Sequence, residues 1–572
     1  MSVAQTLDIE AYRLLDERLS MNQDTRQFQV KIGGSNVNYR TEKSTSANSQ
    51  NQITFNLTPN SCNNVLDRTI LFKAKVVLEF TRTSVDGFAA GSRVLNDGKD
   101  ALRGFNYIVQ STNLSINGQT ITEETKYVHD IFNRFTDDLD SLVKFKSLTP
   151  SLMNGDLTSD YTKYAASSNF NSLGAWNDSS RRSLGRGFFP YDEIVNTAAV
   201  QDDHEQTASV TVFINELIHL SPCEYQGNQI PGLANVTSLQ LTLNLDSDKN
   251  KIWSHAKVDA AESTFSVKAT IIEPEIQFTE ITLPIFYSLP PTISTGYYEL
   301  VRQTSRSAEF TSGKVADLRS DTYQMNQVPS RIIIFARPKE NYDATKPEFY
   351  GVIKKLNIQY NNMSSIINSA SQEQLFMISS INGTNQSWAE FAGSVSVFDQ
   401  TIEAGGSYVP TTGSIVCLEF GKDISSDATA IPGTSINANL QITATVGNQT
   451  GVTQDFELVI LYVYAGVLVI SPGASFKYTS ILTRDETLSL PLLEGATVGS
   501  DHLKGGMTCP SAVHSGLKMG KDVLKSYKAK QGGMKAGMDA GMQARGVYES
   551  GSSSGLSGGR SVAKSSLRDR FA

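Results

Sequence analysis

The chain reads as all-β, built of two tandem antiparallel sandwiches, and three observations carry that reading. A phrase occurs twice: Ile230-Pro231-Gly232, six residues, then Leu239-Gln240-Leu241-Thr242, and again Ile431-Pro432-Gly433, six residues, then Leu440-Gln441-Ile442-Thr443. The copies lie 431 − 230 = 201 residues apart, the separation of duplicated domains and not of a solenoid repeat. Short stretches of alternating apolar and polar residues, divided by Gly, Pro, Asn and Asp clusters, recur through both halves. The order of strand and helix patterns in the first half is replayed in the second. Alternating strands bury one face and need a second sheet to bury it against, and about eight strands in that arrangement are usually wound as a jelly roll. The expected fold is therefore two tandem eight-stranded jelly rolls with short inserted helices.

Residues 6–20 predict an amphipathic helix, with Leu7, Tyr12, Leu15 and Leu19 on one side among Asp8, Glu10, Asp16 and Glu17. Residues 1–25 are then an N-terminal helical arm, and Tyr12, Leu15 and Leu19 are its candidates for contact with another subunit. Residues 26–275 are assigned to jelly roll 1. Phe28, Val30 and Ile32 alternate with polar residues, as do Ile53, Phe55 and Leu57. The clearest strand carries Ile70, Phe72, Ala74, Val76, Leu78 and Phe80 on one face and Lys73, Lys75 and Glu79 on the other. A strand pair around 107–116 turns at Asn117-Gly118, and 123–135 predicts a helix with Val128, Ile131, Phe132 and Phe135 on its buried face.

Residues 276–480 are assigned to jelly roll 2. Here 331–336 answers 69–80, 356–359 answers 114–117, a helix at 371–379 answers the first, and 414–420 answers 210–217. Each copy closes on an apolar strand, 265–272 and 456–470. The offset is 242 between Leu114 and Leu356 but 201 at the repeated phrase, so the first copy holds about 41 extra residues, assigned to a long external loop at 137–204. Ile281, Leu283, Ile285 and Tyr287, just past Glu273-Pro274-Glu275, read as the opening strand of the second sandwich, which leaves little linker and two sandwiches held rigidly side by side. Residues 481–572 form a flexible C-terminal tail, Gly-rich and basic from about 504.

Composition narrows the function. Four scattered cysteines, Cys62, Cys223, Cys417 and Cys509, form no Cys-x-x-Cys pair and suit a reducing compartment. No secretory leader is visible, and the longest apolar run, 458–470, is too short for a membrane span and reads as a buried strand or strand pair. Synthesis inside a cell without secretion is expected. The net charge of −8 hides an asymmetry: residues 504–572 hold 12 Lys and Arg against 4 acids, so the tail is +8 and the remainder −16.

Motifs for chemistry are weak. Glu216-Leu217-Ile218-His219 is half of a zinc-protease motif without its first His, and no strand carries the closely spaced histidines of a cupin metal site. Gly421-Lys422 and Gly520-Lys521 lack the rest of a phosphate loop, and Gly185-Arg186-Gly187 lacks the third glycine of a dinucleotide fingerprint. The sequence therefore predicts no enzyme, no cofactor and no metal site.

Two tandem jelly rolls with a larger first copy, a helix within each, an N-terminal arm and a flexible C-terminal tail resemble the double jelly-roll major capsid proteins of icosahedral double-stranded DNA viruses, and most the virophage and Polinton-like virus type. The resemblance covers about residues 26–480 and is architectural. It implies a virion protein that self-assembles as a homotrimer, six sandwiches forming a pseudo-hexagonal block that tiles a shell around the genome. It implies as partners further capsomers, a penton protein, minor or cement proteins and a viral maturation protease. In that setting Lys518, Lys521, Lys525, Lys528, Lys530 and Lys535 are candidates for genome or inner-surface contact. Leu503-Lys504-Gly505-Gly506-Met507 and Leu556-Ser557-Gly558-Gly559-Arg560 resemble Leu-x-Gly-Gly-x maturation sites, which would place processing at Gly506/Met507 and Gly559/Arg560. The alternatives are a capsid protein of another viral lineage, or a tandem β-sandwich carbohydrate-binding or spike protein. The second would want exposed aromatic platforms, and the chain has three tryptophans, Trp176, Trp253 and Trp388.

Overall fold

A computed structural model describes residues 11–14, 28–31, 35–132, 191–218, 232–339, 350–397, 407–424 and 435–478, short interruptions within these ranges aside. The loop at 137–190, the tail from 479, Ile230-Pro231 and Ile431-Pro432-Gly433 lie outside the described residues, as do Leu15, Leu19, Gly506, Met507, Gly559, Arg560 and the six tail lysines.

The first sandwich comprises β1 (Asn36–Lys43), β2 (Gln52–Leu57), β3 (Leu71–Phe88), β4 (Val109–Ile116), β5 (Gln119–Glu123), α1 (Thr125–Phe132), β6 (Tyr191–Asn196), β7 (Asp203–Leu217), β8 (Leu239–Leu245) and β9 (Glu262–Thr282). The second comprises β10 (Ile293–Thr304), β11 (Val315–Arg319), β12 (Tyr323–Gln327), β13 (Arg331–Pro338), β14 (Val352–Tyr360), β15 (Met363–Ile366), α2 (Gln372–Ile381), α3 (Trp388–Ala392), β16 (Ile415–Glu419), β17 (Ser435–Gly447), β18 (Gln454–Ser471) and β19 (Ala474–Tyr478). Sheet orders match: β7-β3-β9-β1 over β2-β8-β4-β5 in the first, β16-β13-β18-β10 over β11-β17-β14-β15 in the second, all antiparallel. That is the jelly-roll pair the alternation predicts. Period-two patterning fills each interior: Phe72, Ala74, Val76, Leu78 and Phe80 of β3 enter one core, and Ile332, Ile334, Leu440, Ile442, Ile460 and Tyr462 enter the other.

The repeated Leu-Gln-Leu/Ile-Thr tetrapeptides lie in β8 and β17, at the same place in equivalent sheets. Gly232, ahead of β8, is fixed by close approach: a Cβ there would lie 2.8 Å from the Leu66 carbonyl oxygen, while Leu66 and Leu233 exchange backbone bonds of 2.7 and 2.8 Å. Register corrects one alignment. Leu114 pairs with Leu241 and Ile358 with Ile442, which places Leu114 opposite Ile358 and not Leu356. Asn117 and Asn361, both left-handed, donate their N–H groups to Ser238 and Asn439, 201 residues apart. The offset is thus 361 − 117 = 244, and the first copy holds 244 − 201 = 43 extra residues. A slip of two keeps every side chain on its own face, so alternation cannot detect it.

Three further expectations change. Ala11–Leu14 is a strand, paired in parallel with Phe28–Lys31, so the helix predicted across 6–20 does not span these residues and Tyr12 lies on a strand. The stretch 137–204 is not all external loop: 191–196 is β6, an edge strand on β7, and 203–204 open β7 itself. Residues 276–282 belong to the first sandwich. A bulge at Glu273, φ 48°, lets β9 continue through Pro274 and pair with β1 and β3, so jelly roll 2 opens at β10 and not at 276. Phe105–Ile108, within the expected strand pair, is a 3-10 turn.

Candidate functional site

The run 458–470 asks a structural question, because a half-buried strand should be apolar on one face only. It is the single strand β18, whose Leu458, Ile460 and Tyr462 face the second core, while Val459, Leu461 and Val463 face outward and are buried as well. What covers them is α1 of the first sandwich. Val128 and Ile131 pack into one cluster with Tyr298, Ile333, Phe335, Ile415 and Cys417 on the outer face of the β10-β18-β13-β16 sheet. The site of this molecule is therefore an interface between its two halves.

Polar anchors frame that contact. The Arg302 and Arg337 guanidinium groups lie 4.0 and 4.8 Å from the Tyr127 ring centroid, and Arg302 Nε bonds Glu124 Oε2 at 2.5 Å. Burial works against the Arg302 charge, but the Glu124 bond and the nearby charges of Tyr127, Glu124 and Glu457 outweigh it and hold the group above its ordinary pKa. At the β4–β5 turn, Asn117 and Gly118 take φ 47° and 85°, the I′ geometry of an Asn-Gly hairpin. Asn117 Oδ1 accepts from the Thr237 and Ser238 N–H groups at 2.8 and 3.1 Å, while its Nδ2 donates to Asn235 O and, across the interface, to Ser471 O at 2.9 Å. Asn235 Nδ2 reaches Pro290 O, and Tyr297, Leu468 and Ile470 of the second sandwich join the first core. The expected side-by-side packing is present.

In the second sandwich, α2 takes the place that β6 has in the first, beside the outer strand. Ser379 Oγ accepts from the Cys417 N–H at 3.1 Å and Asn382 Nδ2 donates to Cys417 O at 2.9 Å. Gln386 Oε1 accepts from the Ile415 N–H at 3.0 Å. Side chains thereby occupy the edge of β16. Capping boxes at Ser371/Gln374 and Ser387/Glu390 start α2 and α3.

Of the residues considered for chemistry, Gly185-Arg186-Gly187 and Gly520-Lys521 lie outside the described residues. Glu216 accepts from the Phe105 and Asn106 N–H groups at the start of the 3-10 turn, and His219 lies outside the described residues. His129 stands edge-on to Tyr107, and Lys422 bonds Asn382 and Glu419. A buried charge cluster was not visible in the sequence: Arg82 bonds Gln206 and stacks on Phe88, Glu262 lies 3.7 Å from Arg82, and His255 bonds Glu262 at 3.1 Å while stacking on Phe265. Its members are 1–3% exposed, sealed inside the first sandwich. Among the described residues no group of His, Cys, Asp or Glu could hold a metal ion, and no helix is long and apolar enough to cross a membrane.

Comparison with known proteins follows the same division. The family profile "Sputnik virophage major capsid protein 1st domain" matches residues 7–287, and "Major capsid protein V20 C-terminal domain" matches 299–466. The chain belongs to the virophage-type double jelly-roll major capsid proteins. Capsid protein V20 of Sputnik virophage is 28% identical over 500 residues, covering 84% of this chain and 82% of the relative. The 3.5 Å cryo-EM structure of the Sputnik virophage superposes with a TM-score of 0.73 at 26% identity, over 86% of this chain and 97% of that one. The mavirus major capsid protein crystal structure shares the fold, with a TM-score of 0.62 at 19% identity over 79% and 92% of the two chains. The break between the profiles falls where β9 ends and β10 begins, in line with the corrected boundary. A capsid protein of this family has its place in the virion.

Proposed function

We propose that three copies of this major capsid protein associate as a homotrimer, that their six sandwiches form a pseudo-hexagonal block, and that these blocks tile an icosahedral shell around a double-stranded DNA genome. The observation that carries the reading is the pair of topologically equivalent sandwiches locked together through α1. One chain supplies two similar units at a fixed angle, so a threefold ring of chains is a sixfold ring of units. Rigidity is a requirement of such a tile, and a buried apolar interface with flanking ion and cation–π contacts provides it. Negative-stain microscopy of the purified full chain tests this: hexagonal blocks or shells are expected, and dispersed single chains would defeat it.

The tail and arm keep their sequence-based roles within this reading. Lys518, Lys521, Lys525, Lys528, Lys530 and Lys535 meet genome phosphates at the inner surface, and a tail peptide should bind DNA with steep salt dependence. Maturation cleaves after Gly506, with Gly559 as a second site, so protein from mature particles should end at Gly506; a mass ending at Ala572 would refute processing. Tyr12, Leu15 and Leu19 contact a neighbouring subunit, and penton and cement proteins complete the shell.

A further inference from the structure

The contact between α1 and the second sandwich has an unmatched counterpart. Both α1 and α2 follow the same hairpin of their sandwich, β4–β5 and β14–β15. In α1, Thr125 and His129 face their own sandwich, through Thr112 and Tyr107, whereas Tyr127, Val128 and Ile131 face the other one. In α2, Leu375 and Ser379 face their own sandwich with the same spacing of four. Adding 250 to each α1 position therefore maps the interface residues onto Met377, Ile378 and Ile381. Ile378 is half-buried and packs on the core of its own sandwich, but Met377 and Ile381 are 60% and 43% exposed, and Trp388, against Phe376 of the same helix, is 40% exposed. Among the described residues of the chain, nothing covers Met377 and Ile381.

Its natural target is the outer face of the first sandwich's β7-β3-β9 sheet, the counterpart of the face that α1 covers. That face is polar overall, as a chain that must stay soluble before assembly requires, yet an apolar strip crosses it. Phe213, Lys75 and Ile272 stand side by side on three strands, and Thr211, Val77 and Thr270 form the next row, all half-buried. Ion pairs Lys73–Glu275 and Lys268–Glu79 flank the strip. Three apolar side chains surround one lysine, whose ammonium lies 5.7 Å from the Phe213 ring centroid, inside a charged rim, and this suits a protein interface. We propose that Met377 and Ile381 of one chain dock on the Phe213/Ile272/Val77 strip of a second copy, repeating between chains the contact that α1 makes within one.

This inference rests on the trimer reading and names its contact. A photo-crosslinking residue at position 377, in full-length chain mixed from unlabelled and isotope-labelled copies, should give mixed-isotope crosslinks to 71–83, 205–216 or 264–277. The double variant Met377→Asp/Ile381→Asp, at exposed positions, should keep wild-type circular dichroism and raise the trimer dissociation constant at least tenfold. Crosslinks confined to one chain or to other surfaces, or a double variant that trimerises like wild type, overturn this contact and leave the trimer standing. A wild-type chain that stays monomeric overturns both.

Discussion

Glu280 is fully buried on β9, and its charge survives because every direction is answered: Asn64 Nδ2 at 2.6 Å, the Asn60 N–H at 2.8 Å and Arg40 Nη1 at 2.9 Å. Burial alone would raise its pKa, but the Asn64, Arg40 and Asn60 bonds outweigh it and hold the carboxyl below its ordinary 4.5. A depressed folded-state value stabilises the protein at pH above 4.5 and loses that contribution as pH falls through the folded value. Glu280→Gln should therefore lower stability at pH 7 by about 1–2 kcal/mol, since Arg40 loses one carboxylate but keeps Glu42, and should flatten the acid limb of the stability curve. Denaturant titrations at several pH values check it; an unchanged acid limb would contradict the assignment. Tyr127 makes a second residue-scale case. Tyr127→Ala removes a ring stacked between two arginines across the interface and should cost about 2 kcal/mol, largely recovered by Tyr127→Phe because the cation–π contact needs the ring and not the hydroxyl.

At the scale of elements, most strands were legible because their alternation reports a physical face; α1 was legible from apolar positions at helical spacing, α2 from the replayed order of elements, and the short α3 was not. Registers and ends were not. The two-residue slip between Leu356 and Ile358 is silent in any pattern of period two, and β9 passes through Glu273-Pro274 because a single left-handed residue absorbs the break. The role of Asn117 as a turn was readable from Asn-Gly, whereas its bond to Ser471 depends on packing 354 residues away. One signal did point to the interface: a 13-residue apolar run in β18 cannot be half-solvated, so something had to cover its second face. Which element does so is fixed by topology, and Tyr127, Arg302 and Arg337 carry no motif. The same logic gives a prediction at this scale. Ile131→Asp puts a carboxylate on α1 into that apolar cluster and should destabilise the chain by about 3 kcal/mol or more, read as a lower thermal midpoint. An equal charge at Met377 of the isolated chain should leave the midpoint unchanged, since its side chain faces solvent.

For the whole molecule, duplication explains both the likeness and the difference of its halves. Equivalent sheets give two similar units, as the proposed ring of three chains requires, while the 43 additional residues of the first and the α2–α3 edge of the second keep them distinguishable. The second sandwich hides its apolar outer face under α1, and the first presents a largely polar one. The most direct test of this account is the mass of the purified full-length protein by native mass spectrometry at near-physiological salt. Three times the chain mass is the predicted result, and a species of one chain mass at every concentration tried would contradict it.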